Sequence, residues 1–132
     1  MTKYKNKIIL ASIIVFIILI VLAIFFNHVT KKADTILVDN IDLSVIPDGQ
    51  YIGEYSIFPV YTKIEITVKN HEFSEINILK HDNGLGSSAE NIKEDIKKEQ
   101  SLNVDAISGA TVSSKCILKA IEKAIEKGCD VQ

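Results

Sequence analysis

The sequence predicts an α+β domain carried on one N-terminal transmembrane helix, with a small sheet of antiparallel strands followed by two helices. Three observations carry that prediction. Across residues 8–26 every side chain is apolar except Ser12, and as a helix rising ~1.5 Å per residue this stretch spans roughly 28 Å, close to the ~30 Å hydrocarbon core of a bilayer. Residues 63–78 alternate apolar and polar side chains in two runs, the period of strands with one buried face. Residues 112–127 instead repeat apolar side chains at helical spacing.

The N-terminal element starts from Lys3, Lys5 and Lys7. A cleaved signal peptide shares such a basic start, but its apolar region runs to ~7–15 residues and ends on small residues. Here the run is longer and closes on Ala23-Ile24-Phe25-Phe26, so an uncleaved anchor is expected. No cysteine stands close to the end of the run to take a lipid in its place. The three lysines and the terminal amine outweigh Lys31 and Lys32, which Asp34 partly offsets, and the positive-inside rule then places the N-terminus in the cytoplasm. The expected organisation is a cytoplasmic basic segment at 1–7, the anchor at 8–26, a polar juxtamembrane spacer at 27–40 and an extracytoplasmic domain at 41–132.

Within that domain Pro47-Asp48-Gly49 reads as a turn, because Pro fixes φ and Gly permits positive φ. Residues 50–55 read as a strand in which Gly53 marks a bulge or a close backbone approach. Ile64, Ile66 and Val68 alternate with lysine, glutamate and threonine, and Ile76 and Ile78 alternate with Glu75 and Asn77, so a hairpin with its turn at Asn70-His71 is expected. His71 stands where glycine is commoner, which leaves the turn type open.

Residues 80–86, "KHDNGLG", read as a loop. Ser87 with Glu90 then forms a capping-box pattern for a helix reaching about Glu99, with Ala89, Ile92 and Ile96 on its apolar stripe. After a second loop, Ile117, Leu118, Ile121, Ala124 and Ile125 fall within a sector of about 120° of the last helix. Lys115, Lys119, Glu122, Lys123 and Glu126 fall opposite, and Gly128 is the expected stop. Cys116 lies at the edge of the polar arc and is expected to be half-exposed. Cys116 and Cys129 would stand on the order of 18 Å apart along the helix axis, too far for a disulfide.

Composition narrows the function. Of the 15 basic residues, all lysine, three precede the apolar run, so the remainder carries 12 against 17 acids, a formal net charge of −5. Phosphate backbones repel such a surface, so nucleic acid is not an expected partner. No C-x-x-C, G-x-S-x-G, G-x-G-x-x-G or P-loop occurs, which disfavours a metal site, a serine hydrolase and the common nucleotide folds. His28, His71 and His81 read as solvated surface residues. No catalytic set is assigned.

The chemistry-bearing stretch is "DAISGATVSSK", residues 105–115. One reading is structural: Gly109 turns the chain, one hydroxyl caps the helix and the others are solvated. The other is an anion site, because unpaired N–H groups and the positive end of the dipole gather at a helix start. Gly109 and Ala110 leave the backbone open there, Ser113 and Ser114 add donors, and Thr111 stands at the helix mouth.

These residues resemble the FMN-binding domain shared by the C subunit of the sodium-pumping NADH:quinone oxidoreductase, the G subunit of the Rnf complex and many small membrane-anchored flavoproteins. That family's motif D-x-x-[S/T]-G-A-T is met by Asp105, Ser108, Gly109, Ala110 and Thr111. Asp48, Gly49, Tyr51 and Gly53 resemble its opening D-G-x-Y-x-G. His81, Asp82, Gly84 and Gly86 match its central loop, without the Thr-Pro that relatives often carry.

The resemblance implies FMN as cofactor, joined by its phosphate to the Thr111 hydroxyl by a flavin transferase. It assigns Asp105 to transferase recognition or turn geometry, and Ser108, Gly109, Ala110, Val112 and Ser113 to the phosphate end. His81, Gly84 and Gly86 would lie near the ring. The implied role is electron transfer, as a carrier or oxidoreductase subunit facing a quinone or an oxidoreductase complex in the membrane. The alternative is a module that holds FMN or another phosphate ligand without a covalent bond, as a sensor or accessory subunit.

Overall fold

The computed structural model describes residues 2–129. Helix α1 (Thr2–Asp34) leads through a short 3-10 turn to strands β1 (Gly49–Ile57), β2 (Val60–Lys69) and β3 (Glu72–Asp82), then helices α2 (Ile92–Glu99) and α3 (Thr111–Cys129). The strands form one antiparallel sheet in the order β1-β2-β3. The expected α+β architecture is therefore observed.

Helix α1 does not end with the apolar run. It continues through residues 27–34 of the expected spacer, and Val29 and Ala33, one turn apart on one face, are buried against Ile57, Val60 and Cys116. A buried valine contributes about 1.5–3 kcal/mol, so the end of α1 is packed onto the domain.

Ile64, Ile66 and Val68 of β2 are buried on one sheet face, under Ile117, Leu118, Ile121, Ala124 and Ile125 of α3. Ile92 and Ile96 of α2 join the same core beside Phe73 and Ile76. Strand β3 carries two bulges, and the one at Ser74 explains why Phe73 is out of phase with the Ile76 and Ile78 alternation. Thr67 pairs with Glu75 but Val68 with Phe73, and Lys63 pairs with Lys80 but Ile64 with Ile78. Ser74 and Leu79 are thus extra residues on β3, and each resets which side chains face the core.

The Asn70-His71 turn has φ of 53° and 63°, the positive values of a type I′ hairpin. Asp48 Oδ1 accepts the Asn70 N–H at 2.8 Å, and His71 Nδ1 lies 3.2 Å from the Leu43 carbonyl. These contacts from residues 43–48 hold a turn that glycine would adopt more easily.

Several local expectations are corrected. Residues 80–82 belong to β3, so the loop is shorter than 80–86. The capping box does not form: residues 87–91 make a 3-10 turn with no side-chain cap, because Glu90 is drawn to His81 instead. Helix α3 passes through Gly128, which lies against the Tyr51 ring, where a Cβ would collide with the ring edge.

On α3, Glu122 is buried and not solvated. Residues 35–41 cross that side of the helix, and Lys119 bridges Glu122 Oε1 at 2.7 Å and the Leu37 carbonyl at 3.0 Å. Cys116 is fully buried because α1 covers it, and burial pushes its thiol up to about 11. Both cysteines are free, as expected.

Gly53 does mark a close approach. A Cβ there would collide with the Ala120 carbonyl oxygen and stand 2.8 Å from Ala124 Cα, so α3 lies with its backbone on β1 at this point.

Candidate functional site

The loop into α3 builds one wall of a cleft. Gly109 has φ +77°, and open space where a Cβ would be. It turns the chain so that the Ala110 N–H donates to the Ile107 carbonyl at 2.9 Å. The Ala110 carbonyl then accepts the first helical bond, from the Ser114 N–H at 2.9 Å. The N–H groups of Thr111, Val112 and Ser113 consequently have no partner inside the helix, and they sit at its positive end.

The hydroxyls of this stretch divide by role. Ser114 Oγ accepts the Ile107 N–H at 3.0 Å and ties the loop back onto the helix, so it is occupied. Ser113 Oγ is buried and has no hydrogen-bond partner among the described residues. Buried hydroxyls are ordinarily paired; Thr62 and Thr67 share this state, and Ser113 is the one of the three that lines the cleft. Thr111, half-buried, faces the same cleft.

The opposite wall is the turn of residues 83–86, closed by the Gly86 N–H donating to the Asn83 carbonyl at 2.8 Å. Gly84 lies at φ +55°. Gly86 packs directly on Ser113, where a Cβ would collide with Oγ and approach Ser113 Cβ to 2.9 Å. The third wall comes from α1, through Phe25, Phe26, Val29 and Thr30. Pro59 and Val60 complete a cavity of about 480 Å³, within the range of ~300–1,000 Å³ of small-molecule sites.

None of the lining residues is charged. The cavity is apolar along most of its length and offers hydrogen-bond donors at the start of α3. Those donors could take an anionic group, and the open backbone at Gly109 leaves room beside them.

The structure thus brings Gly84, Gly86, Gly109, Ala110, Thr111, Val112 and Ser113 together around one cavity. Asp105 and Ser108 are exposed on the loop and outside the lining. His81 is not a solvated residue: its side chain is only 2 % exposed, with Nδ1 3.0 Å from Glu90 Oε1. Asn83 Nδ2 lies 3.4 Å from the same nitrogen, so His81 bears on the cavity through Asn83, and its Nε2 is buried without a partner.

Sequence reasoning missed the α1 wall. The signal was present as Val29 and Ala33 at helical spacing beyond the apolar run, but only the packing shows that this face meets the domain. The protein-family model described as the FMN-binding domain matches residues 60–126, half of the chain, from Val60 of the cavity to the far end of α3. No curated protein matches the chain.

Proposed function

Because the chain belongs to the FMN-binding domain family and FMN is its cofactor, we propose that it is a membrane-anchored, extracytoplasmic flavoprotein that carries electrons, with FMN joined through its phosphate to Thr111 Oγ1. The observation that supports this most directly is the meeting at one cavity of Thr111, the unpaired N–H groups at the α3 start and the unpartnered Ser113 hydroxyl. Flavin supplies the redox chemistry, and the chain binds it, orients it and limits what reaches it.

The residues divide the work. The Thr111, Val112 and Ser113 N–H groups and Ser113 Oγ would hold phosphate oxygens, while the Gly109 and Ala110 backbone admits them. Phe25, Phe26, Val29, Val60 and Leu85 would shield the ring. No lining side chain titrates near neutral pH, so protons that accompany reduction would come from solvent or from the redox partner. The expected partners are a flavin transferase and a membrane redox partner, a quinone or an oxidoreductase complex.

The experiment is in-gel flavin fluorescence and intact mass of the full chain, expressed with and without a flavin transferase. The transferase-dependent product should carry a denaturation-resistant flavin, lost in Thr111→Ala and kept in Thr111→Ser. Flavin present on the native chain but absent from the gel would replace the covalent reading by the non-covalent module. A native protein free of flavin under both conditions would sink the carrier role itself.

A further inference from the structure

We infer that the domain is seated on the bilayer through an uncharged rim formed by Phe58, in the β1–β2 turn, and Leu85, in the turn of residues 83–86. The inference rests on the reading of α1 as a membrane anchor. Phe58 is 78 % exposed and Leu85 92 % exposed, the latter the most exposed large apolar residue described outside the anchor. Their positions explain the exposure. The Phe58 ring stands edge-on to Phe25, centroids 6.4 Å apart at 82°, and Leu85 lines the same cavity as Phe25 and Phe26.

Phe25 and Phe26 end an apolar run whose length, roughly 28 Å, equals the hydrocarbon core. Their rings therefore lie at the lipid boundary, and so does whatever packs on them. Charge agrees with that level. Residues 55–62 and 83–89 contain no charged side chain, and the nearest charges at this end of the sheet, Lys80 and Asp82, are paired with each other at 3.2 Å, so the two turns can enter the boundary without the cost of desolvating an unpaired ion. The far end of the sheet, a strand length of roughly 26 Å away at ~3.3 Å per residue, carries Asp48, Lys69 and Glu72. An aromatic and an aliphatic side chain beside a helix exit are the groups that settle into the headgroup and acyl boundary.

The chain contains no tryptophan, so single substitutions report depth directly. Full-length, flavin-free protein is reconstituted in vesicles whose lipids are brominated, some high on the acyl chain and some near its end, as Phe58→Trp, Leu85→Trp, Phe16→Trp and Val45→Trp. Val45 is equally open, at 71 % exposed, but lies beside the far end of the sheet. Emission at positions 16, 58 and 85 should be quenched and shifted to shorter wavelength, and emission at 45 should match that in unbrominated vesicles. Quenching at 16 without quenching at 58 and 85 would overturn the seated rim and leave the anchor intact. Equal quenching at 45 and 58 would also overturn it. No quenching at 16 would remove the anchor and the rim together.

Discussion

Replacing Gly53 by alanine is expected to loosen α3 from the sheet. The new Cβ would collide with the Ala120 carbonyl oxygen and stand 2.8 Å from Ala124 Cα. Both obstacles are helix backbone, which cannot rotate aside as a side chain does. Ordinary contact requires about 3.5–4.0 Å, so helix and strand must separate by roughly 1 Å. A gap of that size forfeits a quarter to a half of the dispersion well for the atoms it parts.

Overpacking of this kind costs about 1–3 kcal/mol and occasionally more; with two rigid obstacles the upper figure applies. At about 4–8 °C per kcal/mol for a domain of this size, Tm should fall by about 12–24 °C. The assay is thermal unfolding by circular dichroism of the detergent-solubilised chain, followed in the sheet region so that the long apolar helix α1 does not mask it. Gly49→Ala is the control, because its Cβ would meet only the Tyr51 ring at 3.5 Å or more, an ordinary contact. If Gly53→Ala and Gly49→Ala melt together with wild type, α3 does not lie on Gly53 and the placement of Thr111 by this packing is wrong.

Native protein should expose one reactive thiol, Cys129, to a maleimide, and two after denaturation, because Cys116 is buried with its thiol held up to about 11. Since the folded state keeps that proton while the unfolded chain releases it near ~8.5, stability should fall as pH rises from about 9 towards 11. The fall should be smaller in Cys116→Ala, compared as the slope of Tm against pH. Ala33→Leu, which overfills a fully buried site between α1 and the domain, should make Cys116 reactive without denaturant; unchanged labelling would mean that α1 does not cover it. Glu90→Ala removes the carboxylate beside buried His81 Nδ1 and leaves Asn83 Nδ2, at 3.4 Å, as its remaining neighbour; loss of one such hydrogen bond costs about 0.5–1.5 kcal/mol, to be read as a lower denaturant midpoint at unchanged slope.

Much of the architecture is written in local periodicity. An apolar run of bilayer length, a period of two over Ile64, Ile66 and Val68, and a period of 3.6 over Ile117, Ile121 and Ile125 depend only on which face of an isolated element is apolar, and each is recovered in the structure. The stretch ending at Thr111 was legible as a helix start for the same reason, and unpaired N–H groups belong to any helix start.

What the sequence leaves undecided concerns faces covered by distant chain. Cys116 and Glu122 lie outside the apolar sector of α3 and read as exposed or half-exposed, yet α1 buries the first and residues 35–41 the second. His81 reads as a surface residue until β3 extends through it and turns it towards Glu90. Helical spacing cannot reveal such burial, because it depends on contacts between segments tens of residues apart. The cavity is the clearest case: residues 109–113 announce its polar end by themselves, but its apolar wall comes from helix α1, and only the docking of Val29 and Ala33 on Ile57, Val60 and Cys116 brings Phe25 and Phe26 across from Thr111.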